Sequence, residues 1–433
     1  MAKPQLSYED ALSYINGLDV FAMKLGLERI SKIMEVFDNP HLKYKTIHIT
    51  GTNGKGSVST MVASILAAAG YRVGLYTSPH ISDFRERILI FDENGQHEID
   101  EKSVGGITAR IKDVAGKLGE ALSYFEAGTA LAFQYFAEQE VDFGVIEVGL
   151  GGRLDATNVV KPEVSVITTI SLEHTQHLGG DLASIAKEKG GIIKDGVPLV
   201  TGAEGEGLDA LKQICKERNS PLIHVGTDVK FQKTKYDSDG LHFDVSGRLD
   251  SYEDTITKLF GDHQAQNAAI SIAAIECLKE KGSMVPRQFI YDGMESAFIP
   301  GRFEVVSEAP RIILDVAHNP QAMTALAGAL KSINSGKIRI VAGMMADKDI
   351  ESSIRAFSGV AETIIATRPR TPRAAEAERI AKAASAAGIQ SVIFEDVRKG
   401  FEYAKFISNP EDILCVTGSF YTVGEIRPQF FKK

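Results

Sequence analysis

The sequence predicts an α/β protein in which a parallel-sheet domain built around a phosphate-binding loop precedes a smaller α/β domain. Three observations predict it. The run Gly51-Thr52-Asn53-Gly54-Lys55-Gly56-Ser57 sits between a β-branched stretch and an Ala-rich apolar stretch. Short β-branched runs alternate with helix-length runs through most of the 433 residues, the pattern of a parallel sheet covered by helices. A Pro300-Gly301 break is then followed by a second round of the same alternation. A chain of this length exceeds what one core can serve, and the break divides it into residues 1–298 and 299–433.

The elements follow in order. Thr46–Thr50 reads as a strand and Val58–Ala69 as a helix that stops at Gly70. Val73–Tyr76, Phe143–Val148, Val164–Thr169 and Pro198–Thr201 read as buried strands, with helices at Gly128–Glu138 and Leu182–Lys189. From Val229 to Thr257 polar and apolar residues alternate between Asp-Gly and Ser-Gly turns, which predicts an antiparallel hairpin appended to the first domain. After the break, Arg311–Val316, Ile338–Met344, Thr363–Thr367, Val392–Asp396 and Ile413–Thr417 predict the second sheet.

The loop's residue types are those a backbone needs to wrap a phosphate chain. Glycines permit positive φ and let N–H groups face an anion. Lys55 can bridge terminal phosphate oxygens, and the Ser57 hydroxyl can hold Mg²⁺. A following helix aims its N-terminal dipole at the same place. The spacing departs from the common phosphate-loop pattern: Gly56 stands between Lys55 and Ser57, and Gly51 is only three residues before Gly54. The strand–turn–helix context still favours a nucleotide site over a plain helix cap.

Composition excludes several classes. A net charge of -9 argues against nucleic-acid binding and against an anionic membrane surface. Three widely spaced cysteines without a Cys-x-x-Cys argue for reduced thiols, no structural zinc and a cytoplasmic location. Residues 1–7 lack a hydrophobic signal core, and no apolar run reaches membrane-spanning length.

Other polar residues cluster at expected strand ends. Glu147 closes an apolar strand and precedes Gly149-Leu150-Gly151-Gly152, at the sheet edge where ligands collect in open α/β folds; a carboxylate there suits Mg²⁺. His174 follows another strand, Asp315-Val316-Ala317-His318-Asn319-Pro320 follows the first strand of the second domain, and Thr417-Gly418-Ser419 follows its last. Lys187, Glu188 and Lys189 read as a solvated charged helix face. The glycines after Glu147 do not make a dinucleotide fingerprint, since the third falls on Leu154.

Gly51–Ser57, Thr77-Ser78-Pro79-His80, Ser123-Tyr124-Phe125-Glu126, Glu147–Asn158, Glu173-His174-Thr175, Glu188-Lys189, Pro300-Gly301-Arg302-Phe303, Asp315–Pro320 and Thr417-Gly418-Ser419 stand in the order found in the folylpolyglutamate synthase/dihydrofolate synthase family of Mur-type ligases. The chain resembles that family from about Tyr14 to Glu425. The resemblance implies an ATPase domain followed by a Rossmann-like glutamate domain, and folate metabolism as the setting. It implies an ATP site at Gly54, Lys55, Gly56, Ser57, Asn267, Arg302 and Asp315, and two Mg²⁺ ions held by Ser57, Ser78, Glu147 and His174. Lys55, Lys189, His174 and Glu147 become the catalytic set, with Lys189 carbamylated. Leu25, Gly26, Leu27, Tyr124, Phe125, Glu126, Leu154, Asp155 and Ala156 resemble the pterin pocket, and His318 and Ser419 the glutamate contacts. Glu173 stands where many members carry Asp, and Gly190 where Ala is usual.

The implied reaction is activation of a substrate carboxylate as an acyl phosphate, followed by attack of the glutamate amine. Its substrates are ATP, L-glutamate and a folate or dihydropteroate, handled by a monomer. Tyr124-Phe125-Glu126 followed by Gly128-Thr129 leans toward the type that serves both acceptors. A rival of another class is a regulatory nucleotide switch whose second domain binds a protein. The polar strand ends at Asp315, His318 and Ser419 favour a small molecule instead. A ligase acting on a UDP-sugar is disfavoured by the pterin-pocket motifs.

Overall fold

The computed structural model describes residues 5–18, 26–172, 180–237, 240–333 and 336–431. Strands β1 (Lys45–Thr50), β2 (Val73–Tyr76), β3 (Ile88–Asp92), β4 (Gly95–Glu98), β5 (Phe143–Glu147), β6 (Val164–Ile167), β7 (Leu199–Thr201) and β8 (Leu222–His224) form one sheet. Its order is β4-β3-β2-β5-β1-β6-β7-β8. The strands from β2 to β8 in that order run parallel. The sheet is mixed rather than purely parallel, because β3 and β4 join its edge antiparallel. No strand is expected from the sequence at β3, β4 or β8; every residue of β4 is exposed, so it carries no apolar signal at all.

The central strands β2, β5 and β6 are buried throughout and β1 nearly so, as their β-branched sequences require when helices cover both faces. The helix Lys55–Ala68 buries ten of its residues. It begins three residues earlier than its apolar pattern suggests, because Gly54 adopts φ 87° and caps it. Lys55, Gly56 and Ser57 therefore form a first turn whose N–H groups have no intrahelical partner. The helix Tyr124–Glu138 also starts early, capped by Ser123 and Glu126 in a reciprocal pair.

The segment expected as a hairpin is a three-stranded antiparallel sheet, β9 (Lys230–Asp237), β10 (Gly240–Ser246) and β11 (Ser251–Thr257). The Gly247 N–H to Asp250 carbonyl bond turns the chain back a second time. Glu276 on the helix His263–Glu280 accepts from the Arg248 and Leu249 N–H groups and the Tyr252 hydroxyl, which fastens this sheet to the first.

Strands β12 (Glu304–Glu308), β13 (Arg311–Leu314), β14 (Ile338–Ala342), β15 (Thr363–Thr367), β16 (Gln390–Phe394) and β17 (Ile413–Thr417) form the last sheet, in the order β12-β13-β17-β14-β15-β16. All neighbours are parallel except β12 with β13. β16 lies two residues earlier than expected because Asp396 caps the following helix through the Lys399 N–H. Among the described residues no helix is long and apolar enough to cross a membrane. Cys215, Cys277 and Cys415 are free and buried.

Candidate nucleotide and ligation site

Register assembles the site. Ile49 of β1 pairs with Glu147 of β5, and Tyr76 of β2 pairs with Ile146. Glu147 at the end of β5 and Gly51 and Ser78 just beyond β1 and β2 therefore share the C-terminal edge of the sheet. The Ser78 N–H donates to Glu147 Oε2 at 3.1 Å. Glu147 is buried, and that burial pushes its carboxyl up to about 7 against the opposing pull of Lys55, Ser78, Arg302 and Arg87.

The loop is held tightly. Gly51 has φ 149°, and a Cβ there would lie 1.8 Å from Thr168 Oγ1; one on Gly54 would lie 2.3 Å from Asn267 Oδ1. Only glycine fits either position. Thr168 donates to the Asn53 carbonyl at 2.6 Å, and the Asn53 N–H donates to Thr169 Oγ1 at 3.1 Å. These two threonines were not singled out in the sequence, although a polar pair directly after the apolar strand Val164–Ile167 was a usable signal. Lys55 Nζ donates to the Gly51 and Thr52 carbonyls at 2.8 and 3.1 Å.

Lys189 corrects an expectation. It is not part of a solvated face but is 1% exposed, and its Nζ donates to the Gly51 carbonyl at 2.9 Å. Lys187 stays exposed and Glu188 pairs with Arg153. The helix Leu182–Gly190 presents its buried side, Ile185, Ala186 and Lys189, to the core. Thr50, Gly51, Lys55, Lys189 and the turn Val148–Gly151 line a common cleft.

The aromatic group stands beside that cleft. Phe125 lies within 3.5 Å of a Cβ placed on Gly149, and the Asp155 carboxylate within 3.4 Å. Tyr124 and Phe125 meet edge to face at 5.5 Å, and Leu27 packs on the same cluster. Leu154 is partly buried and Ala156 buried, and Gly26 has φ 142°. Glu126 is engaged elsewhere: it caps its own helix and pairs with Arg29 at 3.1 Å. Arg87, missed in the sequence, is buried, donates to His80 Nδ1 at 2.7 Å and lies over the Tyr124 ring. Its segment, Phe84–Arg87, carries no periodic signal that marks one arginine as buried.

From the second sheet, Asp315 accepts from the Phe303 and Ala317 N–H groups at 2.9 and 2.8 Å. Burial raises its carboxyl, opposed mainly by Arg302. Arg302 lies over the Phe420 ring. His318 Nδ1 is 2.9 Å from the Val316 carbonyl, so this nitrogen carries the proton and Nε2 is left as the acceptor. Burial lowers the imidazole's pKa. Ser419 caps the helix Phe420–Ile426 through the Thr422 N–H. Asn53 Nδ2 donates to Gln321 Oε1 at 3.2 Å, joining the loop to the helix after the Asp315–Pro320 run. Asn267 is buried against Gly54 and donates to Gln264. Leu25 and His174 lie outside the described residues.

Comparison with known proteins shows the family. Residues 49–275 match the Mur ligase middle domain, and residues 301–420 match the Mur ligase glutamate ligase domain. The chain is 36% identical over 434 residues to a dihydrofolate synthase/folylpolyglutamate synthase of Bacillus subtilis, covering 97% of this chain and 98% of the relative. The folylpolyglutamate synthase of Thermotoga maritima superposes with TM-score 0.86 at 36% identity, over 98% of this chain and 96% of that one. A bifunctional folylpolyglutamate synthase/dihydrofolate synthase of Yersinia pestis with Mn, AMPPNP and L-glutamate bound superposes with TM-score 0.84 at 32% identity, over 99% of both chains. With a glycine-rich loop at a parallel sheet's edge, a buried carboxylate at its side and both family models matched, the near full-length likeness to these relatives makes the chain a member of the folylpolyglutamate synthase/dihydrofolate synthase family of Mur ligases, ATP-dependent carbon–nitrogen ligases.

Proposed function

We propose that this chain joins L-glutamate to folates and to dihydropteroate at the cleft between Gly51–Ser57 and Asp315–Asn319, in two units divided at 298/299. The observation that carries the reading is the convergence of Lys55, Glu147, Ser78 and Lys189 on one sheet edge that Asn53 and Gln321 connect to the second unit.

Magnesium fits the donor set. Among the described residues Glu147 is a buried carboxylate with no ion-pair partner, and Ser57 and Ser78 stand by as hard oxygen donors. These residues, with His174, would hold the metal, the resemblance implying two ions. When bound, it draws charge off the phosphate oxygens. The chain's own groups do the rest. The N–H groups of Lys55, Gly56 and Ser57 face the phosphates, and Lys55 exchanges two loop carbonyls for phosphate oxygens. Phe125 and the Gly149 turn seat the acceptor's ring system, so that its carboxylate reaches the γ-phosphorus. An oxygen–phosphorus bond forms, ADP leaves, and the acyl phosphate is attacked by the glutamate amine with loss of phosphate. His318, neutral and with Nε2 open, accepts a hydrogen bond from that amine.

Carbamylation of Lys189 is supported by the family resemblance and by its burial beside the cleft. A carbamate keeps one Nζ–H for the Gly51 carbonyl, so that bond can persist while the added carboxylate faces the metal ligands. A Lys189→Ala variant should regain part of its activity with formate, and no rescue at any formate level counts against it. The main reading is tested by incubating the protein with ATP, glutamate and either dihydropteroate or tetrahydrofolate. ADP release dependent on both glutamate and acceptor is expected; ADP release indifferent to the acceptor would overturn it.

A further inference from the structure

His48 sits in the middle of β1 with no exposed surface, where an all-core strand ordinarily holds a hydrocarbon. Its Nε2 is 2.8 Å from Thr157 Oγ1. That hydroxyl is 2.5 Å from Asp155 Oδ1, which also accepts the Thr157 N–H at 3.0 Å. Asp155 Oδ2 accepts the Gly149 and Leu150 N–H groups, both at 3.1 Å. A carboxylate receiving three backbone N–H groups is an acceptor throughout, so the single Thr157 hydroxyl proton points at Asp155. The Thr157 lone pair must then take a proton from His48 Nε2. Only one tautomer satisfies the chain, and it leaves His48 Nδ1 a buried atom with no hydrogen-bond partner among the described residues. A leucine would avoid that cost, so the histidine is there for the direction of its hydrogen bond.

The other end of the chain of bonds is the Gly149–Leu150 turn, which lines the cleft beside Lys55 and Lys189 and faces Phe125. We infer that His48 and Thr157 are positioning residues for the acceptor: a directed run of hydrogen bonds from the sheet interior fixes the Asp155 carboxylate, and through it the turn on which the acceptor's ring system rests. The inference rests on reading Phe125 and Asp155 as the acceptor pocket.

Steady-state kinetics on three variants test it, beside the ¹⁵N NMR spectrum of the histidine-labelled enzyme. Thr157→Val keeps the shape without the hydroxyl and should raise KM for the acceptor about tenfold, a loss of the size one hydrogen bond carries, while KM for ATP holds. Thr157→Ser keeps the hydroxyl and should behave as the parent. His48 should show a protonated Nε2 and a bare Nδ1, unchanged from about pH 8 to about pH 5, below the ordinary titration of the ring. Equal effects of Val and Ser, or an equal rise in KM for ATP, overturn the inference. Should Thr157→Val not fold, a protonated Nδ1 in the parent enzyme overturns it alone. Asp155→Asn separates the two readings. Raised acceptor KM there with none in Thr157→Val sinks the positioning chain only, whereas no effect of Asp155→Asn sinks the pocket and this inference together.

Discussion

Glu147 shows how much a single residue owes to its place. As a strand-end carboxylate it would be ordinary in water; beneath the loop it is buried, and its charge is offset by Lys55, Arg302 and Arg87 at a distance and by the Ser78 N–H in contact. On the proposed reading, Lys55→Ala and Glu147→Ala should each lower turnover by roughly 10³-fold or more, since each would remove a group that serves charge developing on phosphate. Near-parental turnover with a native circular dichroism spectrum would remove that assignment. His318 makes a different prediction. Its Nδ1 proton is committed to the Val316 carbonyl, so on the proposed reading Nε2 accepts from the glutamate amine and does not bind a carboxylate. His318→Ala should raise KM for glutamate several-fold and leave KM for ATP unchanged; glutamate titrations that do not differ from the parent place the amino-acid contact elsewhere.

At the scale of elements, caps decide where the functional segments begin. Ser123 and Glu126 bond each other's backbone at the start of the helix Tyr124–Glu138, and this fixes Tyr124 and Phe125 in the first turn beside Gly149. Glu126 is held further by Arg29, so the cap and the aromatic wall are one unit. Ser123→Ala should cost about 1 kcal/mol of stability, the usual loss of an N-cap, read as a lower urea midpoint. An unchanged midpoint would show that Arg29 alone maintains the helix start.

At the scale of the whole molecule, buried histidines tie stability to pH. Burial lowers the pKa of His41 to about 4 and of His48 to about 3, with smaller contributions from Lys161 and Lys194. In the unfolded chain each titrates at about 6.5. Between those values the unfolded chain binds more protons than the folded one, so stability rises with pH. It is fully present above about 6.5 and drains away as pH falls toward the folded values. Each group adds a slope approaching about 1.4 kcal/mol per pH unit in that window. Urea unfolding at a series of pH values from neutral downward should show the loss, and His41→Gln should flatten the curve by about one proton's share. A curve that His41→Gln leaves unaltered would mean that His41 does not fold as a neutral ring.

The sequence by itself determined the α/β class, the phosphate loop and the strand-end residues around it. Those features are local: a β-branched run, a glycine-rich turn and an Ala-rich helix are written within some twenty residues, and their ligand follows from backbone geometry. The order of family motifs also carried Lys189 and Asp155 into the site. What only the tertiary structure decided is what pairs with what over long separations. Lys189 read as one more solvated charge, yet it is buried beneath Gly51, 138 residues away in sequence. Glu126 answers to Arg29, 97 residues off, and His48 to Thr157, 109 residues off. Strand β4, exposed throughout, is likewise legible only from its antiparallel pairing with β3 at the sheet edge. Periodicity records which face of an element is apolar, but a polar group's burial depends on which distant element packs over it, and no local pattern encodes that partner.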